Sequence, residues 1–203
     1  DVRVLESFVP VIYGSTKAAS FYRKHLDLQS VNLNIINSID ELNPKKINII
    51  NCGDDDFKVE LGRSTSEAGK AAYSALEQSV ADLKKGSLDA LVTAPINKKN
   101  IQSADFHFPG HTEYLEENFG TGTPALMLLI NDVMRVAVVT GHIPVDEIAH
   151  KLTTELITEK LLVFNKSLKN DFTIIRPRIA VLGLNPHAGD EGVIGDEEQK
   201  III

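Results

Sequence analysis

The sequence contains no tryptophan and a single cysteine, Cys52, among 203 residues. One cysteine cannot build a disulfide framework, and such usage favours a reducing cytoplasm. The longest apolar run, residues 124–130, is far shorter than the about 20 residues that a membrane-spanning helix needs. No block of basic residues is present and the net charge is −7, which argues against a nucleic-acid surface. We therefore expect a cytoplasmic protein with no nucleic-acid or membrane partner.

The two ends of the chain bear on how complete its domains are. The chain opens at Asp1 without a methionine and stops at Ile203, inside an apolar stretch with no stop signal. We therefore expect part of a longer protein. Its apolar fraction of 43% is ample for a packed core, and its length suits one large domain or most of two.

Short apolar runs alternate with helical patterns along the whole chain. The runs predict strands at residues 9–13, 31–36, 47–51, 88–94, 125–130, 136–139 and 179–184. Helical periodicity predicts helices at residues 15–25, 66–84, 111–119, 145–152 and 154–168, the first of them capped by Ser15. Such regular alternation excludes all-α and all-β folds. The sequence predicts an α/β fold with a mixed or mainly parallel sheet.

Two histidines follow apolar runs in the same way. The run 136–139 ends in Thr-Gly-His142-Ile-Pro, and the run 179–182 ends in Gly-Leu-Asn-Pro-His187-Ala-Gly. A histidine just past a buried strand, bracketed by Gly and Pro, is held on a stiff backbone with its ring at a cleft, as a metal ligand must be. A hydrogen-bonded loop histidine is the alternative at each position, and the pattern leaves both interpretations open.

Two further stretches carry polar residues that suit an anionic ligand. In Phe-Pro-Gly-His111-Thr112-Glu-Tyr, Thr112 is placed to cap a helix whose amides, beside His111, would attract a phosphoryl or carboxylate group. Simple capping by Thr112 with an exposed His111 is the alternative. After the predicted strand 88–94, Asn97 and Lys98 could reach an acidic substrate, although a surface lysine explains the pattern equally well.

Other motifs are excluded by their context. Residues 120–125 have dinucleotide-loop spacing but precede a strand, and Pro124 obstructs the helix that such a loop should open. Residues 189–195 are glycine-rich, but two carboxylates inside the loop would repel a phosphate. The run Asp54-Asp55-Asp56 predicts a solvated turn and not a metal site.

The polar stretches, taken in order and spacing, resemble the 4-hydroxythreonine-4-phosphate dehydrogenase family of vitamin B6 biosynthesis. The resembling segments are residues 93–98, 109–115, 140–144 and 183–189, with the strand exit at 9–15 also similar. The resemblance implies an α/β fold like that of isocitrate and isopropylmalate dehydrogenases, with two domains and a cleft between them. Residues 1–100 would form part of the first α/β domain, and residues 101–203 part of the second, carrying substrate and metal residues. It also implies a homodimer with shared active sites.

The same resemblance implies roles for individual residues. His142 and His187 would be two ligands of a divalent metal, zinc suiting imidazoles best, with magnesium, cobalt or manganese as alternatives. His111 and Thr112 would contact the substrate. A third metal-binding histidine, the phosphate-binding basic residues and most of the NAD site are expected after Ile203. The family's N-terminal Gly-Asp-Pro type motif has no counterpart in this sequence.

The implied activity is NAD-dependent and metal-dependent oxidation of 4-phosphooxy-L-threonine at its secondary alcohol, followed by decarboxylation to 3-amino-2-oxopropyl phosphate. One alternative keeps the chemistry and changes the substrate to 4-phospho-threonate, 4-phospho-erythronate or an aromatic dihydrodiol. Another alternative, of a different class, is a non-catalytic ligand-binding domain whose two histidines are structural.

Overall fold

Two compact units make up the chain, Asp1–Gly120 and Thr121–Ile203. The structure is a computed structural model that describes residues 2–53, 58–120, 122 and 124–203. The Asp54–Asp56 turn therefore lies outside the described residues, as do residues 121 and 123 of the excluded dinucleotide-like stretch. His111 and Thr112 belong to the first of these units, and the domain boundary after residue 100 stays a prediction.

A three-stranded parallel sheet organises the first unit. Its strands are β1 (Val11–Gly14), β2 (Leu33–Ile36) and β3 (Ile47–Asn51), with β3 in the middle. Ile49 and Ile50 of the central strand are buried, as is usual in the middle of a parallel sheet, and Asn48 beside them is a buried polar residue. The Asn48 side chain is fully buried and donates to two backbone carbonyls while accepting from Asn34 and the Asn43 amide, so its polar atoms are satisfied.

Capping side chains set the starts of the helices in this unit. Helix α1 (Thr16–His25) begins where Ser15 Oγ accepts from the Ala18 amide at 3.1 Å, as predicted. Thr65 caps α2 (Ser66–Lys84) in the same way. Short 3₁₀ turns occupy Val2–Glu6 and Ile39–Glu41.

An aromatic core fixes α2 and α3 (His111–Phe119) to the loop that joins them. Phe106 is completely buried, and its ring centroid lies 5.4–5.9 Å from those of Tyr73, Phe108 and Tyr114. The buried core residues are Leu76, Val80, Ile101, Phe106 and Tyr114. This packing anchors the turn just before His111.

The predicted strand at residues 88–94 is wrong. No strand is formed there, since no backbone within the described residues pairs with the segment, and Val92 is 94% exposed. An apolar run becomes a strand only where a neighbour supplies its hydrogen bonds, and the run itself does not specify that neighbour.

The second unit combines a hairpin with a long helix. Strands β4 (Leu128–Ile130) and β5 (Arg135–Ala137) pair antiparallel, and the turn between them is closed by Asn131, whose side chain accepts two amides. A 3₁₀ turn (Val145–Glu147) leads into α4 (Ile148–Lys151). Thr153 then caps α5 (Thr154–Asn170). The α/β fold class is confirmed, with parallel and antiparallel pairing both present.

The last predicted strand, residues 179–184, is also wrong. It has no ladder partner in the described ranges, and Leu182 is 82% exposed. A tight turn follows at Pro186–Gly192, and a short π-helix spans Glu198–Ile202. Among the residues that the structure describes, no helix is both long and apolar enough to cross a membrane.

Candidate functional site

His111 is the first residue of α3, and the turn before it is tight. The N-cap is Gly110, with no side-chain cap hydrogen bond. The prediction that Thr112 caps this helix is therefore wrong, because the helix begins at His111 and Thr112 lies inside its first turn. The first amides of α3 have no intrahelical acceptors, so this end suits an anion.

Lys98 lies against the same turn. A β-carbon placed on Gly110 would sit 3.6 Å from Lys98 Cε and 3.6 Å from Glu113 Oε2, so glycine leaves room for both side chains. Burial of the His111 ring, and secondarily the positive charge of Lys98, hold the pKa of His111 below its usual value. A neutral imidazole beside a cation and a helix N-terminus is suited to contact an anionic ligand.

Asn97 and Gln102 shape the loop that presents Lys98. The Asn97 side-chain oxygen accepts from the amides of Lys99 and Asn100 at 3.0 and 3.1 Å. The Gln102 side chain donates to the carbonyls of Lys98 at 3.2 Å and Phe108 at 2.9 Å, which ties the Lys98 loop to the His111 turn. Asn97 thus orders its own loop, and Gln102 is a residue that the sequence pattern did not indicate.

The proximity of Lys98 and His111 can be tested by titration. Replacing Lys98 with methionine is expected to raise the pKa of His111, because one of the two causes of its depression is removed. NMR titration of the His111 ring measures this shift. The neutral ring is the form that the folded chain favours, so wild-type stability should decline as pH falls below about 6.5 through the folded-state pKa. Lys99→Met is the matched control for the titration. Equal shifts of the His111 pKa in both variants would contradict the proximity of Lys98 to His111.

His142 and His187 lie in the second unit, after two segments that line the same cavities. A cavity of about 550 Å³ is lined by residues 134–139 and 177–182, and a second of about 230 Å³ by residues 138–140 and 181–184. Side chains of α5, among them Phe164 and Leu168, also line the larger cavity. Both segments therefore line the same two cavities, and each histidine follows one of these segments in the chain.

Both histidines have an unusual backbone. His142 has φ 55° and His187 φ 53°, and the left-handed conformation continues from His187 through Glu191. Each non-glycine residue in this region costs roughly 1–2 kcal/mol. Both histidines are exposed. Such a backbone persists only where surrounding contacts hold it.

Asn185 and Glu198 supply those contacts at His187. The Asn185 amide donates to Glu198 Oε1 at 2.7 Å, and the Asn185 side chain donates to Glu198 Oε2 at 3.0 Å and to Glu197 at 2.7 Å. Glu198 is 1% exposed. These hydrogen bonds, first that from the Asn185 side chain and then that from its amide, hold the pKa of Glu198 below its usual range.

The donor set fits part of a divalent-metal site. Across the described ranges, no group of three or more His, Cys, Asp or Glu side chains could hold a metal ion. Imidazoles are suitable zinc ligands, but a zinc site in a protein has about four ligands in all. His142 and His187 could therefore contribute two of them.

Comparison with known proteins identifies relatives of the chain. A family model described as pyridoxal phosphate biosynthetic protein PdxA matches residues 6–203. A 4-hydroxythreonine-4-phosphate dehydrogenase from Bacteroides thetaiotaomicron is 53% identical over 203 residues, covering 100% of this chain and 56% of that protein. One from Sulfurihydrogenibium sp. is 43% identical over 195 residues, covering 95% and 59%.

Solved structures agree as well. The crystal structure of 4-hydroxythreonine-4-phosphate dehydrogenase from Klebsiella pneumoniae has a TM-score of 0.78 and 32% identity, covering 95% of this chain and 58% of that one. The chain thus spans less than two thirds of the length of these relatives. The chain belongs to the PdxA family of pyridoxal phosphate biosynthetic proteins.

Proposed function

We propose that the protein acts as an NAD-dependent and divalent-metal-dependent dehydrogenase of 4-phosphooxy-L-threonine. The observation that carries the proposal is the 53% identity, over all 203 residues, to a 4-hydroxythreonine-4-phosphate dehydrogenase. In the proposed reaction the secondary alcohol loses a hydride to NAD and a proton, and the resulting β-keto acid loses carbon dioxide to give 3-amino-2-oxopropyl phosphate. We place the reaction in the cytoplasm.

Substrate binding is assigned to the first turn of α3. The first amides of α3 and the nearby Lys98 cation favour an anionic group of the substrate. His111 stays neutral because its pKa is lowered, so it can donate or accept a hydrogen bond there. Thr112, in the same turn, offers a hydroxyl to the same group.

Metal binding is assigned to His142 and His187. A divalent cation, once bound, would lower the pKa of the substrate's secondary hydroxyl and so favour hydride transfer. Zinc suits two imidazoles best, with magnesium, cobalt or manganese as alternatives. We propose that the third histidine comes from the partner subunit of a homodimer. The NAD site is assigned mainly to the part of the family's chain that this sequence does not cover.

Kinetics with 4-phosphooxy-L-threonine and NAD test this proposal in the full-length protein. NADH formation is expected, and His111→Ala should lower kcat/KM about 10- to 100-fold, in line with the about 1.5–3 kcal/mol typical of hydrogen bonds to charged groups. Bound metal should stay unchanged, which separates substrate contact from ligation. The neighbouring His107→Ala is the control, because His107 stacks on Phe108 instead.

Three results would contradict parts of the proposal. Metal loss in the His111→Ala variant would mean that this residue is a ligand. Turnover of 4-phospho-threonate, 4-phospho-erythronate or an aromatic dihydrodiol in place of 4-phosphooxy-L-threonine would change the substrate and leave the reaction class intact. Absence of turnover with any of these compounds would favour a binding domain.

A further inference from the structure

The turn that carries His187 stores backbone strain. Five consecutive residues, His187 to Glu191, have φ between 47° and 82°, and only Gly189 among them lacks a side chain. The left-handed conformation is unfavourable for the four others, so the turn would relax unless nearby groups held it. The loop of residues 183–195, here called the His187 loop, must therefore be fastened from outside the turn.

The buried Glu198 carboxylate is the group that fastens it. One carboxylate oxygen accepts from the Asn185 amide at 2.7 Å, and the other accepts from the Asn185 side chain at 3.0 Å. Two glycines bring the backbone against the same carboxylate. A β-carbon on Gly183 would lie 3.2 Å from Oε1, and one on Gly189 would lie 3.1 Å from Oε2. The carboxylate therefore contacts both sides of the His187 loop.

A rigid residue, Pro186, connects Asn185 to His187, so the position of Asn185 restricts that of His187. Pro186 lies between them, and its ring fixes φ, so few conformations separate Asn185 from the imidazole. The Asn185 carbonyl also accepts from the Ala188 amide at 3.2 Å, which closes the turn around His187. Glu198 is 1% exposed and both its oxygens are engaged, so it is not itself available as a ligand.

We propose that Glu198 is a positioning residue that holds the His187 loop, through Asn185, in the left-handed conformation from which His187 binds a metal. The metal-binding part of this inference rests on the proposed function. The part in which Glu198 holds the loop rests on the hydrogen bonds between Glu198 and Asn185. The anchor spans 13 residues of sequence, from Asn185 to Glu198.

The anchor is tested by amide hydrogen exchange and by Co²⁺ titration of the full-length protein. In Glu198→Ala, exchange at the Asn185 and Ala188 amides should accelerate at least about 10-fold. Co²⁺ affinity should fall about 10- to 100-fold, as is usual when a group supporting a metal ligand is removed. Glu198→Gln is nearly isosteric and should give intermediate effects, because its oxygen still accepts from the Asn185 amide while its amino group cannot accept from the Asn185 side chain.

Glu197→Gln is the matched control, because Glu197 accepts from the Asn185 side chain, which also bonds Glu198. It should leave the visible Co²⁺ spectrum and the exchange rates close to wild type. Wild-type exchange and affinity in Glu198→Gln would overturn the inference, even if Glu198→Ala fails to fold. Failure of the wild-type protein to bind Co²⁺ would instead overturn the proposed metal function, and exchange rates alone would then decide whether Glu198 anchors the loop.

Discussion

Alanine in place of His142 or His187 is expected to abolish dehydrogenase activity in the full-length protein. Loss of a residue that merely supports a metal ligand lowers metal affinity about 10- to 100-fold. Removal of the imidazole ligand itself should lower it by at least as much. The fold should survive, since both histidines are exposed and lie in loops. Isothermal titration with Zn²⁺ and NADH formation measure the two effects.

His150→Ala is the control for both variants. His150 is an exposed histidine of α4 in the same unit, so its removal changes the histidine count equally. It should retain wild-type affinity and turnover. Unchanged metal affinity and activity in either the His142 or the His187 variant would show that this histidine is a structural loop residue, as the alternative interpretation holds.

Gly189→Ala is expected to disrupt the His187 loop strongly. Gly189 has φ 82°, and an added β-carbon would overlap the Gly195 carbonyl oxygen, a backbone atom that cannot turn away. Conformational strain of roughly 1–2 kcal/mol and overpacking of about 1–3 kcal/mol predict a combined loss of about 2–5 kcal/mol. Urea denaturation measures the loss, and Co²⁺ titration should show weakened binding.

Gly192→Ala separates these two contributions. Gly192 has φ 95°, but nothing lies within 4 Å of the position that its β-carbon would take. Its replacement should therefore cost only the strain, about 1–2 kcal/mol. Equal losses for the two variants would mean that the close approach of Gly189 to Gly195 does not contribute to stability.

Helices were the best predicted part of the fold, for a local reason. Ser15 accepts from an amide three residues ahead, and the apolar period of α2 is repeated within a few residues. Such interactions are present in the sequence itself. The prediction for Thr112 failed because the start of α3 depends on the turn at Gly110, which the buried aromatic core around Phe106 holds in place.

The strands and the residues that hold the site loops in place were less predictable, because both depend on partners distant in the sequence. The runs 88–94 and 179–184 are apolar enough for strands but lack neighbours in the described part of the chain. Gln102 and Glu198 were missed because a lone polar residue has no pattern that indicates which loop it fastens.

The sequence by itself determined the α/β class, the helix positions and the two histidines with similar contexts, since these follow from periodicity, capping residues and short motifs. Only the tertiary structure decided that the segments before His142 and His187 line the same cavities and that Lys98 lies beside His111. It alone showed that a buried carboxylate holds the strained turn at His187. The physical reason is that hydrogen bonds, charges and packing act through space, whereas local sequence specifies only what neighbouring residues do along the backbone.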